Sequence, residues 1–367
     1  MGFSDFYGNP DVVRRLRELL ARDRFPHAVI LAGPAGSGKY TLALMLAKAM
    51  NCLEPGLSDG LPDLCGHCSN CSRIAQSEEL AARTSEAVEA REAMREADKR
   101  DTRIFVQTHS DVLIIPPDPP QMMIKVDQVR RVTETIYLRP GEGKERIYIF
   151  TDSAFLREAA NALLKVLEEP PGFATIFLLT TNAGALLPTI RSRSMLITLN
   201  ALPAEEIERY LAQNCPAWNG KERALVARMA EGAVGRARSF DLAAYRAARQ
   251  QAWIMLNSAL RGGDHAALFQ VTESYRAGAE GRDKIERLVR MLYSLLRDLL
   301  YLNSGAGELI RNLEIEGELK KLAQSADFAW ISEADERLAD VERGLRRNLQ
   351  RSLSLDAFVA ALDKTTS

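Results

Sequence analysis

The chain has 367 residues, more than one ordinary hydrophobic core holds, which predicts two or three domains. Hydrophobic residues make up 46% and charged residues 26%, a globular composition that excludes a disordered chain. With 48 basic against 49 acidic residues, a generally basic nucleic-acid coat is excluded, although a local basic patch is not. No apolar run approaches the roughly 18–20 residues that span a bilayer, and the N-terminus has no apolar signal core, so we expect a cytoplasmic protein without a membrane partner.

Apolar runs alternate with helical patterns over the first two hundred residues. The helical patterns begin with an amphipathic stretch over residues 11–21. The runs are short enough for buried parallel strands, and they occupy residues 28–32, 112–115, 147–150 and 175–179. Strands that alternate with helices predict a parallel sheet covered on both faces. After about residue 200 the strand signals stop and the pattern is helical to the end.

A glycine-rich segment follows the first predicted strand and precedes a predicted helix. Residues 33–39 match the phosphate-loop pattern G-x-x-x-x-G-K. Gly33, Gly36 and Gly38 allow backbone N–H groups to converge on phosphate oxygens, and Lys39 would reach the β- and γ-phosphates. The pattern predicts a site of nucleotide-binding ancestry. Whether it still binds ATP or ADP stays open against the alternative of a tight glycine turn.

Two groups that ATP hydrolysis requires are replaced. The residue after the loop lysine normally ligates magnesium through a hydroxyl, but here it is Tyr40, and Thr41 lies one position late, about 100° around the helix. Beyond the strand at 147–150, Asp152 could position a magnesium ion, or it could simply be a helix N-cap or a strand-end residue. Ser153 stands where a water-polarising glutamate is required. We therefore expect no intrinsic ATPase activity.

Four of the five cysteines are clustered in the sequence, at Cys52, Cys65, Cys68 and Cys71. In a reducing compartment such clustering favours a metal site over disulfides. Thiolates at this spacing can close a tetrahedral site with four sulfur ligands, which suits a structural Zn2+ ion. His67 would be a ligand only if one cysteine were not.

Two further segments have no chemistry that their composition reveals. Residues 77–103 are dense in Glu, Arg and Ala, and we expect an exposed helix pair or a mobile insertion. Residues 189–194 read Thr-Ile-Arg-Ser-Arg-Ser after the last predicted strand. Arg193 in this segment could project toward a nucleotide on a neighbouring chain, but composition alone favours an ordinary surface arginine.

Taken together, several motifs make the chain resemble the bacterial replicative clamp loader, a family of AAA+ proteins, over nearly its whole length. Besides the phosphate loop and the four cysteines, the motifs are Phe-Pro-His-Ala at 25–28, Ile-Lys-Val-Asp-Gln-Val-Arg at 124–130, Asn-Ala-Leu-Leu-Lys-Val-Leu-Glu-Glu-Pro-Pro at 161–171 and Thr-Ile-Arg-Ser-Arg at 189–193. The run at 161–171 is highly specific to this family.

The resemblance implies an architecture and a set of partners. It implies an α/β RecA-like AAA+ domain over residues 1–200, with a zinc module at about 52–71 and the charged insertion at about 77–103. A small helical lid over 201–244 and an all-helical collar over 245–367 would follow. The implied partners are the gamma/tau and delta subunits in a hetero-pentamer of the DNA polymerase III holoenzyme. Through that complex the chain would act on the sliding clamp and primed DNA in DNA replication.

Within this family, the replacements Tyr40 and Ser153 resemble the delta-prime type, a rigid stator, more than the ATP-hydrolysing gamma/tau type. The resemblance then gives Arg193 the role of an arginine finger that acts in trans on ATP held by the neighbouring subunit. The family signature Ser-Arg-Cys ends here in Ser194. Arg236 stands where lids of AAA+ proteins often place a nucleotide-sensing arginine.

Two alternatives remain at this point. The first is an active clamp-loader ATPase of the gamma/tau type that tolerates Tyr40. The second is an unrelated, zinc-stabilised protein that binds nucleic acid, against which the net charge of −1 weighs.

Overall fold

The computed structural model describes residues 2–261, 265–275, 280–346 and 350–362. The chain forms two compact units. The first comprises residues 1–214 and 230–238, and the second comprises residues 215–229 and 239–367. The stretch predicted as a lid, 201–244, is therefore divided between them. The predicted collar range includes residues 262–264, 276–279, 347–349 and 363–367, which lie outside the described residues.

The first unit is built on a six-stranded sheet with a separate two-stranded hairpin. The strands are β1 (Ala28–Ala32), β2 (Gly56–Ser58), β3 (Leu61–Asp63), β4 (Val106–His109), β5 (Val112–Ile115), β6 (Arg146–Phe150), β7 (Ala174–Thr180) and β8 (Met195–Thr198). The order of the six-stranded sheet is β4-β5-β6-β7-β1-β8; within its described strands β4 and β5 pair antiparallel and the other pairs are parallel, while β2 and β3 form a separate antiparallel hairpin. The predicted α/β domain with a largely parallel sheet is confirmed.

Helices flank this sheet and dominate the second unit. They are α1 (Pro10–Ala21), α2 (Lys39–Met50), α3 (Ser69–Ala75), α4 (Leu80–Glu92), α5 (Glu96–Asp101), α6 (Val126–Thr135), α7 (Arg157–Glu168), α8 (Pro188–Arg191), α9 (Ala204–Asn214), α10 (Gly220–Met229), α11 (Val234–Arg238), α12 (Leu242–Arg261), α13 (His265–Glu273), α14 (Glu280–Asn303), α15 (Glu316–Ala323), α16 (Phe328–Arg346) and α17 (Arg351–Ala361). No helix within the described ranges is long and apolar enough to cross a membrane.

The central strands are apolar throughout because both faces of the sheet are covered. In β1, Val29 and Leu31 point into a core shared with α1 and α2. The alternate residues Ala28, Ile30 and Ala32 point into a second core shared with α6 and α7. All five residues of β1 are buried. This double burial explains why the strand appears in the sequence as a continuous run rather than as an alternating pattern.

The charged stretch at 77–103 forms α4 and α5 within the first unit. A buried ion pair joins it to the segment that follows β5. Arg91 in α4 places Nη1 2.7 Å from Oδ1 of Asp118, whose side chain is fully buried. Lys125 Nζ lies 3.1 Å from the other carboxylate oxygen, and the Ile104 N–H donates to Oδ1 at 3.3 Å. The sequence interpretation treated this stretch as exposed or mobile and did not identify this anchor.

The second unit is helical, as the sequence pattern predicts, and its core contains a polar cluster. The Asp298 carboxylate is fully buried and accepts hydrogen bonds from the backbone N–H groups of Arg311 and Asn312, at 3.0 and 2.9 Å. The Asn312 amide donates to the same carboxylate at 2.7 Å, and the Tyr245 hydroxyl donates to Asn312 Oδ1. Because these groups satisfy one another, the cluster stabilises the turn that precedes α15.

Candidate functional site

The phosphate loop joins β1 to α2 in a conformation that requires glycine. Gly36 and Gly38 have φ values of +80° and +87°, in the left-handed region. A Cβ atom at Gly36 would lie 2.9 Å from the backbone nitrogen of Arg236, so the loop also packs too closely for a side chain. Gly33 begins the loop, and its N–H donates to the Thr180 carbonyl oxygen at 3.1 Å.

A cavity of about 460 Å³ lies over the loop, within the first unit. This volume is in the range of pockets that hold small molecules, which is about 300–1,000 Å³. Among the predicted residues, Gly36, Gly38, Lys39, Thr41 and Asp152 line it together, whereas Gly33 does not. Three aromatic side chains that the sequence interpretation missed, Phe6, Tyr7 and Tyr210, also line it.

Lys39 is bonded to its own loop. Its ammonium donates to the carbonyl oxygens of Gly33 and Pro34, at 2.7 and 2.6 Å. Burial lowers the pKa of Lys39, and the charge of Asp152 partly opposes that shift. Two of the three donors of the ammonium are thus engaged by the loop itself, so a phosphate group would compete with these carbonyl oxygens for Lys39.

Tyr40 stands at the sequence position whose hydroxyl normally ligates magnesium, and its own hydroxyl is bonded elsewhere. Its hydroxyl donates to the Ser77 carbonyl oxygen at 2.6 Å, and its ring packs against the core beneath β1. Burial raises the pKa of Tyr40 well above its ordinary value, so the phenol remains a neutral donor at pH 7. A neutral phenol engaged in this way does not replace the small hydroxyl that a phosphate loop offers to magnesium.

The second carboxylate motif lacks the acidic residue that would polarise water. Asp152 is exposed and accepts a hydrogen bond from the Ala154 N–H at 2.9 Å. It lies just beyond β6 and is not a helix N-cap, since Leu156 precedes α7 in that position. Ser153 places its hydroxyl 2.7 Å from that of Thr180 at the end of β7. The strand end therefore presents one carboxylate and a hydroxyl pair, not an Asp-Glu pair.

Helix α11 packs directly on the phosphate loop. The Gly235 N–H donates to the Gly36 carbonyl oxygen at 2.8 Å, and a Cβ atom at Gly235 would lie 2.7 Å from that oxygen. The Arg236 side chain starts against Gly36, and its guanidinium pairs with Glu231 at 2.7 Å. Arg238 lines the cavity instead. If an arginine of this segment senses a ligand, the geometry favours Arg238 over the predicted Arg236.

The four clustered cysteines are brought together in space. All four Sγ atoms lie within 4.8 Å of one another, with the Cys65 and Cys71 sulfurs 4.0 Å apart. Tetrahedral zinc, with Zn–S bonds of about 2.3 Å, separates its sulfurs by about 3.8 Å. Cys52 precedes the β2–β3 hairpin, whereas Cys68 and Cys71 lie at the start of α3. A metal ion could be held by these cysteines.

Burial and hydrogen bonding act in opposite directions on the cysteine thiols: burial raises the pKa values of Cys52 and Cys71, whereas hydrogen bonds lower that of Cys68. The Cys65 N–H donates to the Cys52 sulfur at 3.4 Å, and the Cys68 N–H donates to the Cys65 sulfur at 3.3 Å. Burial raises the pKa of the Cys68 thiol, but hydrogen bonds from the backbone of Cys71 and Leu53 outweigh burial and bring that pKa to about 6. His67 is exposed, and its Nδ1 lies 3.7 Å from Glu54 Oε2. His67, Glu54 and Cys65 form a second group of possible ligands that shares only Cys65 with the four cysteines.

The cysteine module is tied to the N-terminal residues. The Arg17 side chain donates to the carbonyl oxygens of Leu61 and Pro62 in the hairpin, at 2.9 and 3.0 Å. Its guanidinium also lies 5.4 Å from the centre of the Phe3 ring. The Phe3 N–H donates to Asp63 Oδ1 at 3.1 Å. The segment that carries Phe6 and Tyr7 into the cavity is therefore anchored on the hairpin beside the cysteines.

Arg193 lies on the surface just beyond α8 and does not line its own chain's cavity. Its side chain is 36% exposed. Nη1 donates to the Thr189 carbonyl oxygen at 3.1 Å, and Nη2 donates to Glu168 Oε1 at 2.9 Å. The Ser194 hydroxyl donates to the Ile190 carbonyl oxygen at 2.9 Å, so serine at this position supports the local turn.

Comparison with known proteins identifies the family. The family described as "DNA polymerase III, delta subunit" matches residues 8–203, just over half of the chain. DNA polymerase III subunit tau of Escherichia coli is 31% identical over 237 residues, which are 63% of this chain and 31% of that protein. Subunit gamma of Buchnera aphidicola is 29% identical over 210 residues, 57% of this chain and 48% of that protein. The chain thus spans less than half the length of these relatives.

Solved structures give more distant likenesses. A gamma-subunit-related protein of Thermotoga maritima has a TM-score of 0.42 at 18% identity, covering 96% of this chain and 100% of that one. The clamp loader delta protein of Bacillus subtilis has a TM-score of 0.31 at 11% identity, covering 96% and 99%. The family match over residues 8–203 argues against an unrelated nucleic-acid binder. The chain belongs to the DNA polymerase III delta-subunit family of clamp-loader proteins.

Proposed function

We propose that this chain is the delta-prime stator of a bacterial replicative clamp loader. In this proposal it assembles with gamma/tau and delta subunits in a hetero-pentamer and helps to load the sliding clamp onto primed DNA. Its own ATP site does not hydrolyse nucleotide. Its contribution to chemistry is Arg193, which acts on ATP held by the adjacent subunit.

The observation that carries this proposal is the state of the chain's own ATP site. Tyr40 replaces the magnesium hydroxyl, and its own hydroxyl is engaged by Ser77. Ser153 replaces the second carboxylate, and its hydroxyl lies against Thr180. Phosphoryl transfer to water needs a metal, a phosphate clamp and an oriented water together. The chain lacks the residues for two of these requirements, the magnesium ligand and the carboxylate that orients water. Arg193, in contrast, lies at the surface, where a partner can reach it.

The order of the parallel strands supports the RecA-like assignment that the resemblance implies. The phosphate-loop strand β1 lies between β7 and β8, with β6 and β5 beyond β7. The phosphate loop, Asp152 and Thr180 meet at the carboxyl ends of these strands, where ligands bind in open α/β sheets. We therefore propose that the cavity derives from a nucleotide-binding site. The hydrogen bonds from Lys39 to the carbonyl oxygens of Gly33 and Pro34 would weaken its affinity for ATP or ADP.

We also propose that Cys52, Cys65, Cys68 and Cys71 bind one structural zinc ion. The sulfur separations and the N–H bonds to sulfur fit four thiolate ligands. With every position filled by sulfur, zinc would stabilise the module and leave no site for a substrate.

The proposed chemistry of Arg193 follows from its guanidinium. An arginine fork stabilises the charge that develops on a transferred phosphoryl group, and such fingers are worth about 10³–10⁵ in rate in GTPases. Arg193 does not line the cavity over its own chain's phosphate loop, so a nucleotide bound there would not lie beside it. A finger role therefore requires a phosphate group held by another chain. Action in trans satisfies that requirement.

One alternative keeps specific support. The relatives with about 30% identity are named tau and gamma, which favours an ATPase of that type. Steady-state ATP hydrolysis by the isolated chain separates the two proposals. A stator gives no hydrolysis above that of a Lys39→Ala variant. Wild-type turnover that Lys39→Ala abolishes would establish the ATPase instead.

A further inference from the structure

Arg193 is held by two elements of its own chain rather than projecting freely. One N–H of its guanidinium is bonded to Thr189 in α8, and another is bonded to the Glu168 carboxylate at the end of α7. A guanidinium carries five N–H donors in a fixed plane. These two contacts fix that plane and leave the remaining donors for other acceptors.

Both supporting helices are anchored by buried side chains. Helix α7 is anchored by Leu163, Val166 and Leu167, each at most 2% exposed. Helix α8 is anchored by Ile190, which is fully buried. Glu168 itself is 53% exposed in its side chain, so the pair lies at the surface, and it engages the carboxylate through Oε1. An exposed pair of this kind adds little to folding stability, which leaves orientation as its main physical effect.

We propose that Glu168 is a positioning residue for Arg193, a proposal that rests on the trans role of Arg193 proposed above. Glu168 orients the guanidinium before the neighbouring subunit arrives, with the unused N–H donors directed outward. Without Glu168, the long arginine side chain samples many rotamers and gives up that rotamer freedom only when the complex forms. Precise placement of an electrostatic group lowers the barrier to reaction more than its mere presence does.

The carboxylate acts through its hydrogen bond, so an amide should retain most of the effect. In Glu168→Gln the amide oxygen still accepts from Nη2, whereas Glu168→Ala removes the acceptor. We expect Glu168→Ala to slow the one ATP site that Arg193 serves about three- to tenfold, the scale of one or two freed side-chain rotors. Because the remaining sites dilute this effect, the kcat of the whole complex should fall measurably but by less than it does in Arg193→Ala. The KM for ATP should not change, since the neighbouring subunit binds the nucleotide.

The test uses clamp-loader complexes reconstituted with variant chains and matched for assembly by gel filtration. The variants are Glu168→Ala, Glu168→Gln, Arg193→Ala, the double variant Glu168→Ala/Arg193→Ala, and Glu169→Ala as a control at the adjacent exposed carboxylate. ATP hydrolysis stimulated by clamp and primed DNA is measured as kcat and KM. We expect Glu168→Gln to keep at least half of wild-type kcat, Glu169→Ala to equal wild type, and Glu168→Ala to add no loss to Arg193→Ala.

The outcomes separate this inference from the function on which it rests. Wild-type kcat for Glu168→Ala, beside a defective Arg193→Ala, overturns the positioning role and leaves the finger in place. An increase in kcat, or a loss in Glu168→Gln as large as in Glu168→Ala, also overturns it. Wild-type kcat for Arg193→Ala overturns the proposed trans role itself.

Discussion

The Tyr40 hydroxyl donates a hydrogen bond to the backbone carbonyl oxygen of Ser77, across 2.6 Å. This bond joins the first turn of the phosphate-loop helix α2 to the chain just beyond α3, the helix that carries Cys71. The residue that replaces a magnesium ligand is thus a structural link between the loop and the cysteine module. A side chain with this structural role is not free to serve a metal ion.

We predict that Tyr40→Phe lowers the free energy of unfolding by about 1 kcal/mol, because it leaves a partly buried carbonyl without its donor. Chemical denaturation monitored by circular dichroism measures the change. Tyr137→Phe is the matched control, since its exposed hydroxyl makes a longer bond of 3.3 Å to Glu169. An effect of Tyr40→Phe no larger than that of Tyr137→Phe would show that the link is not stabilising.

The buried pair between Arg91 and Asp118 should hold the charged insertion in place. Arg91→Ala leaves a fully buried carboxylate with Lys125 as its remaining cation, and we expect a loss of up to about 3 kcal/mol. Arg83→Ala is the control, because its pair with Glu86 at 2.9 Å is exposed and should contribute less than about 1 kcal/mol. Limited proteolysis within residues 77–103 provides a second measurement. Equal stability losses in the two variants would contradict the anchoring role.

Metal content tests the cysteine module. Protein purified without added metal should contain about one zinc ion per chain, and Cys68→Ser should lose it and destabilise the module while the sheet stays folded. Cys215→Ser, outside the cluster, should retain the metal. The measurement is elemental analysis with circular dichroism on the same samples. Metal-free wild-type protein with a fully folded module would refute the zinc proposal.

Asp111 gives a signed pH dependence of stability. Burial raises the pKa of its carboxylate, but N–H donors from Gly141, Glu142 and Gly143, at 2.9, 2.8 and 2.7 Å, outweigh burial and hold the pKa below the ordinary 3.8. A pKa depressed in the folded state contributes stability above the unfolded pKa, and this contribution is lost as the pH falls through the folded pKa. Wild-type protein should therefore lose stability more steeply below about pH 4 than Asp111→Asn. Parallel curves of unfolding free energy against pH would contradict this assignment.

The features that the sequence predicted correctly are those with local signals. Strand β1 is an apolar run because both of its faces are buried, and the cysteine cluster is visible from its spacing. The edge strands β4 and β8 were not foreseen, since each is only partly buried; β4 reads Val-Gln-Thr-His, and β8 has an apolar run of only three residues. Edge strands of this kind carry no clear pattern of hydrophobicity.

The pairings that give the site its character have no local signal. Tyr40 and Ser77 are 37 residues apart, and Arg193 and Glu168 are 25 residues apart. The choice of Arg238 over Arg236 at the cavity depends on the direction of each side chain on α11. Single-sequence patterns do not encode contacts at these separations, so the fold class was accessible and the polar links were not.

The central claim is that this chain contributes Arg193 to a neighbour's ATP site and hydrolyses no ATP itself. The most direct test is the rate of ATP hydrolysis, stimulated by clamp and primed DNA, in complexes reconstituted with wild-type or Arg193→Ala chain. We predict a loss of severalfold or more for Arg193→Ala with normal assembly, diluted by the remaining ATP sites, and poor rescue by Arg193→Lys because a single ammonium lacks the planar fork. Normal assembly with wild-type hydrolysis and clamp loading in Arg193→Ala complexes would contradict the claim and make Arg193 an ordinary surface arginine.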